Sequence, residues 1–208
     1  MLILGAGDHA QVVVDALLQG LKQGQDIKPI GYLDDNPRLI GERYLGLPVL
    51  GTIAQRHQFE YDAVIVAIGE NATRARIFQT LKEESEQFVN AVHPAATLAP
   101  GVKLGVGVMI MAGVVVNVGS TIADNVILNT SCSMDHHGQI GSHAHLGPGV
   151  HLGGRVTVGE GTLLGVGTVV IPGQHIGNWS IIGAGSCVIS NIPTGVTAVG
   201  VPAKVIKE

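Results

Sequence analysis

Large side chains are scarce in this chain: one Trp, three Tyr and three Phe, so that aromatics make up 3% of it. A broad core assembled around buried rings is therefore excluded, and so is a platform of stacking aromatics for nucleic acid. Charge is also thin, at 13% Asp, Glu, Lys and Arg, with a formal net charge of -4 and no basic run. Nucleic acid is not expected as a partner. Anionic ligands stay open, because backbone amides and a few local cations can hold phosphate. The two cysteines, Cys132 and Cys187, lie far apart. They form no disulfide framework, which points to a reducing compartment and a cytoplasmic location. No apolar run approaches the length of a membrane span. Met1-Leu2-Ile3-Leu4 is apolar, but Gly5-Ala6-Gly7-Asp8 follows at once, so no leader peptide is expected.

Glycine, in contrast, occurs 30 times, and the apolar content lies in Val, Ile, Leu and Ala. From Val92 an aliphatic residue returns at every sixth position: Leu98, Leu104, Ile110, Val116, Ile122, Leu128, Met134, Ile140, Leu146, Leu152 and onward to Val188. Four residues after each stands a small or branched one, such as Val108, Val114, Ser120, Cys132, Ala144, Val150 and Thr162. The residue after the aliphatic one is often Gly, as at Gly105, Gly141, Gly147 and Gly165. A period of six fits neither an amphipathic helix nor a simple alternating strand. It fits short strands broken at glycine-rich corners, stacked coil on coil around a narrow aliphatic core: a β-solenoid.

The first 91 residues follow another pattern, so residues 1–91 and 92–208 are expected to form two domains. Leu2–Leu4 is a strand, Gly5 to Ala10 a turn, and Gln11 to Leu21 a helix with Val12, Ala16 and Leu17 facing inward. Pro29 to Leu33 is a second strand, Leu45 to Leu50 an extended piece, Ala63 to Ile68 a buried strand, Thr73 to Glu84 a helix, and Phe88 to Val92 a last strand. Alternating β and α implies a small Rossmann-like parallel sheet. Gly5-x-Gly7-x-x-Ala10, between strand and helix, matches the dinucleotide fingerprint, with Asp34 and Asp35 ending the second strand. The segment is short for a full dinucleotide fold, and nothing downstream resembles a nicotinamide site. A nucleotide diphosphate at Gly7, Asp8 and His9 is favoured over NAD and over an empty tight turn. Gly69 and Asn71 end the neighbouring parallel strand, where such sheets bind ligands.

The segment 129–151 holds five of the nine histidines: His136, His137, His143, His145 and His151. No two of them are five positions apart, the ligand spacing of the hexapeptide-fold carbonic anhydrases, so no metal is expected. A histidine acting as general base fits better. Asp135 could orient His136, and His137 and His143 are expected to be exposed corner residues.

The repeat resembles that of the hexapeptide acyltransferases, which implies a left-handed parallel β-helix with three hexapeptides per coil. The whole chain resembles the PglD/PerB/QdtC/NeuD-like sugar-nucleotide acetyltransferases. The carrying residues are the Gly5 loop, Leu33-Asp34-Asp35, Ala67-Ile68-Gly69, Asn129-Thr130, Asp135-His136, Ile140-Gly141, His145-Leu146-Gly147-Pro148-Gly149 and Gly153-Gly154. The resemblance implies His136 as general base, polarised by Asp135 and supported by Asn129. It implies acetyl-CoA as co-substrate beside His145, with the Gly154 N–H toward the thioester oxygen and Val166, Ala184 and Lys204 along the rest of the groove. It places the nucleotide-linked amino sugar, of UDP-4-amino type, at His9, Asp34 and Asp35. It also implies a homotrimer, weakly supported by outward apolar residues such as Val106, Met109, Val115 and Val118. Members often carry an acidic residue directly after the catalytic histidine; here that residue is His137. O-acetylation of a sialic acid, a γ-type carbonic anhydrase and a nucleotide-binding scaffold are the rival readings.

Overall fold

The computed structural model describes residues 1–207. Strands β1 (Leu2–Leu4), β2 (Gly31–Leu33), β3 (Arg43–Tyr44), β4 (Leu47–Gly51) and β5 (Val64–Val66) form one sheet in the order β3-β4-β2-β1-β5. All neighbours are parallel except β3, which returns antiparallel on β4. Strands β1, β2 and β5 are buried on both faces, as an uninterrupted Leu-Ile-Leu or Val-Ile-Val requires. Helix α1 (Asp8–Lys22) packs with Ile3, Tyr32 and Ile65 on one face. Helix α2 (Asn71–Glu83) packs with Leu2, Leu4, Leu33 and Val66 on the other.

The remaining strands up to Cys187–Val188 are two-residue pieces that stack into three parallel sheets; Thr197–Val199 extends one of these sheets, and Lys204–Lys207 returns antiparallel on it. Val115 pairs with Ser133, Ser133 with His151, and His151 with Val169, so one coil is eighteen residues. This is a left-handed parallel β-helix of hexapeptide repeats. Both inward registers are buried, from Val108 and Ile110 through Leu146 and Val150 to Ile182 and Val188. Each corner passes through one left-handed residue, and these recur every six positions: Gly107, Gly113, Gly119, Asn125, Ser131, His137, His143, Gly149 and Arg155. Glycine reaches that conformation without cost, whereas other L-residues cost roughly 1–2 kcal/mol there.

Several expectations need correction. Val12 is 43% exposed, so the inward face of α1 is Ala10, Val13, Val14, Ala16 and Leu17. The segment expected as a last strand of the α/β sheet splits in two. Phe88 makes only an isolated bridge to Val64, whereas β6 (Ala91–Val92) pairs with Met109–Ile110 and opens the β-helix. Met109, expected to face outward, is fully buried, because α1 covers that face of the first coils. His143 is also buried, at 9% exposure, under α2.

Candidate active site

At the start of α1 the sequence builds a tight glycine loop that runs into a helix with no capping side chain. Gly5 sits at φ +104°, and a Cβ there would lie 2.9 Å from Ile68 and 3.0 Å from the Ala67 carbonyl, so only glycine fits. Gly7 caps α1 with extended backbone and no side-chain bond, and open space lies where its Cβ would be. The first amides of α1 therefore lack a capping side chain, which is how helix N-termini receive phosphate. Helix α2 differs: its cap, Glu70, accepts from the Ala72 and Thr73 amides, and the Thr73 side chain, followed by those amides, holds its carboxyl below the usual range. Asp8 is exposed in the first turn of α1.

The acidic pair divides. Asp34 accepts from the Ala6 amide at 2.7 Å and the Asn36 amide at 2.8 Å, and so ties the Gly5 loop to β2. Asp35 accepts only from Ile53, at 3.0 Å, and borders a hollow of about 230 Å³ shared with Arg76 and Thr80.

Between α2 and the β-helix lies a pocket of about 440 Å³, lined by Gly69, Asn71, His145, Leu163, Trp179 and Ile181 among others. His9 faces His145 across 6.0 Å between ring centroids. Burial is the main cause that lowers both, His9 to about 4 and His145 to about 3, with the Arg74 guanidinium adding to it. Both rings are thus neutral near pH 7, and His9 Nε2 and His145 Nδ1 are buried without a hydrogen-bond partner. The other nitrogen of His145 meets Asn129 Nδ2 at 3.3 Å. Asn129 therefore stands with His145 rather than with His136.

Arg74, invisible in the sequence as anything but a helix charge, is fully buried and fixes this pocket. It donates to the carbonyls of Ile68, Gly69, Asn125 and His143 and to Asn71 Oδ1. Asn71 in turn donates to the Gly161 carbonyl at 3.0 Å, so both ends of its amide are engaged. Trp179 was also missed. Its signal was present: it stands three residues after the aliphatic Ile176, at the left-handed corner position shared by His137 and Arg155.

His136 lies elsewhere, on the corner between the sheets containing Ser133–Met134 and Gln139–Ile140. His145 belongs to the third sheet, so the two histidines are on different sides of the triangular coil. An open cleft of about 320 Å³ runs along that corner, lined by Asp135, His136, Gly154, Arg155, Pro172 and Gly173. The His136 ring packs on Gly154, one coil below: a Cβ on Gly154 would lie 2.6 Å from Cε1 and 2.7 Å from Nε2. Among the described residues the Gly154 N–H has no partner. It is an unpartnered donor on the residue against which the His136 imidazole packs. Asp135 accepts from the His136 amide and from Asn117 Nδ2, and these bonds hold its carboxyl below the usual range. Its other oxygen is 3.9 Å from His136 Nε2. Val166 and Ala184 stack one coil apart on another corner, and Lys204 opens the exposed final strand Lys204–Lys207.

Cys132 is buried, which pushes its thiol up to about 12, and neither cysteine is paired. Among the described residues no cluster of three or more His, Cys, Asp or Glu side chains is arranged to hold a metal ion. No helix among them is long and apolar enough to cross a membrane.

An α/β nucleotide-type domain joined to a hexapeptide β-helix, with a histidine seated on a free amide donor, defines a class of acyl-transfer proteins. Residues 1–81 match the model for the PglD N-terminal domain. PerB from Caulobacter crescentus, crystallised with CoA and GDP-perosamine, is 39% identical, with a TM-score of 0.90 over 98% of this chain and 95% of that one. The acetyltransferase domain of PglB from Neisseria gonorrhoeae, also solved with acetyl coenzyme A, is 31% identical, with a TM-score of 0.91 over 99% of this chain and 98% of that one. A stretch of 40 residues is 55% identical to galactoside O-acetyltransferase from Escherichia coli; it covers 19% of this chain and only 20% of that protein. The chain belongs to the hexapeptide-repeat sugar-nucleotide acetyltransferases.

Proposed function

We propose that this protein is an acetyl-CoA-dependent N-acetyltransferase acting on the free amine of a nucleotide-linked amino sugar. The observation that carries the reading is the His136 ring seated on Gly154, beside a free N–H, in a chain similar along its whole length to a protein crystallised with CoA and GDP-perosamine. Residues 1–91 form the nucleotide-sugar domain, with the diphosphate at Gly7, Asp8 and His9, the base or ribose near Asp34 and Asp35, and the sugar toward Gly69 and Asn71; His145, in the same pocket, would stand by the acetyl end of CoA. Residues 92–208 form the acetyl-transfer domain, with CoA along Gly154, Val166, Ala184 and Lys204.

The amine reaches the enzyme mainly as ammonium and must lose a proton to attack. His136 takes that proton. The amine nitrogen bonds to the acetyl carbon, and the Gly154 N–H faces the oxygen on which negative charge develops. The carbon–sulfur bond then breaks and CoA leaves as a thiolate, to be protonated. No acetyl-enzyme is needed, since Cys132 is buried and its thiol is held protonated.

The sugar pocket and the His136 cleft lie on different sides of one coil. This supports a homotrimer, in which a neighbouring β-helix brings its His136 to the pocket. Exposed Val106, Val115, Val118 and Val169 would be covered on assembly. Unpaired cysteines and the need for acetyl-CoA support a cytoplasmic location.

The test is CoA thiol release from acetyl-CoA with UDP-, GDP- and dTDP-linked 3-amino and 4-amino sugars, wild type beside His136→Ala. Release with one sugar nucleotide, reduced about a hundredfold or more in the variant, is expected. The family resemblance implied a UDP-linked 4-amino sugar, whereas the Caulobacter relative was crystallised with GDP-perosamine. The panel distinguishes them. No release with any amino sugar overturns the reading. Release with a hydroxyl acceptor instead would favour O-acetylation, which the 40-residue stretch like galactoside O-acetyltransferase also supports.

A further inference from the structure

We propose that His137 is the positioning residue of His136, holding it by a ring-to-ring hydrogen bond in the tautomer that leaves Nε2 free to accept a proton. This rests on the reading of His136 as the base.

The two imidazoles meet Nδ1 to Nδ1 at 3.2 Å, edge on, with ring planes at 75°. One nitrogen must donate and the other accept. If His136 Nδ1–H donates to His137 Nδ1, His136 Nε2 is bare and faces the cleft beside Gly154. If the bond runs the other way, Nε2 carries the proton and His136 cannot act as a base. The partner of one ring nitrogen thus decides the state of the other.

The fold holds both rings in place. His136 packs down on Gly154, and His137 packs up on Gly119, one coil above, where a Cβ would lie 2.6 Å from His137 Cδ2. His137 also sits at φ +57°, a conformation unfavourable for histidine but one that directs its ring back toward His136. Asp135 does not provide this contact. One oxygen bonds the His136 amide and Asn117, and the other stands 3.9 Å from Nε2, the nitrogen that must remain free.

His137 differs from a carboxylate in one consequence: it can itself be protonated. A doubly protonated His137 has no acceptor, so it turns the bond around and places the His136 proton on Nε2. The charged groups facing the pair are Asp135 on the same corner and Arg155 on the coil below, which also lines the cleft. The coil above offers Gly119 and Asn117, neither of which titrates. Activity therefore falls on the acid side when either histidine takes up a proton.

Three substitutions of the full-length enzyme test this. His137→Gly suits the left-handed corner and removes the acceptor. His137→Asn tolerates the same backbone and can place an amide oxygen where Nδ1 stood. His137→Asp supplies a carboxylate. The expected results are a roughly tenfold loss of kcat at unchanged KM in the glycine variant and recovery of most of it in the asparagine variant, with a shallower acid limb. In the aspartate variant the acid limb should move to higher pH by roughly half to one unit. Nitrogen-15 spectra of histidine-labelled protein should show His136 protonated on Nδ1 in the wild type, and losing that preference in His137→Gly. A glycine variant with wild-type kcat, acid limb and His136 tautomer overturns the proposal, and so does failure of asparagine to rescue. If the wild type releases CoA with no amino sugar, the functional reading fails, while the spectra still decide the tautomer.

Discussion

Gly154 shows how one missing methyl can decide a site. Its backbone is not in the left-handed region, so alanine would be tolerated by the main chain. What alanine would meet is the His136 ring, at 2.6 Å from Cε1. Gly154→Ala is expected to lower kcat by roughly ten- to a hundredfold through displacement of His136, the proposed base. Its thermal unfolding should match wild type within a few degrees. CoA release and a melting curve on the same preparation check both halves. This residue was legible in the sequence, because the period of eighteen places it one coil beyond His136. The Asn129 role was not legible: neighbouring side chains on a coil diverge to different faces, and its amide meets His145.

At the scale of elements, α2 is the piece whose attachment matters most. It packs Ile77, Phe78 and Leu81 on the sheet, and Arg74 ties its first turn to the corners at Asn125 and His143. Burial lowers the Arg74 guanidinium to about 10, so it stays charged near pH 7 and its bonds are charge-assisted. Arg74→Met keeps the volume but leaves four carbonyls and the Asn71 amide oxygen without their donor. The expected loss is about 2–4 kcal/mol, a fall in melting temperature of roughly 5–10 °C. Because Asn71 and Gly69 then lose their anchor, KM for the nucleotide sugar should also rise. Calorimetry and initial rates check the two effects. Nothing in the 3.6-residue pattern of α2 marked Arg74, since a surface arginine and a buried one look the same until the partner surface is known.

Across the whole molecule, the contact between the α/β sheet and the β-helix buries two neutral histidines, His9 and His145. In the unfolded chain both titrate near 6.5; in the folded protein they are lowered to about 4 and about 3. Below pH 6.5 the unfolded state therefore binds more protons than the folded one. Stability from this pair is complete above about pH 6.5 and is lost as pH falls toward 4 and then 3. The total is of order several kcal/mol. Melting temperatures from pH 7.5 down to 4.5 should fall steadily, and the fall should be shallower in His9→Gln. An unchanged slope in that variant would remove His9 from the explanation.

The sequence by itself determined the β-helix, because a residue recurring every sixth position can point inward only if the chain turns at each repeat. It also determined the glycine loop ahead of α1, because Gly5 and Gly7 stand where a strand turns into a helix. Tertiary structure decided which side chains share a pocket. His145 and His136, nine positions apart, lie on different sides of the coil, while His9 and His145 meet from the α/β sheet's first helix and the middle of the β-helix. Periodicity fixes the face on which a residue stands; only packing fixes what stands opposite it, and so only packing could bury Arg74, Met109 and His143.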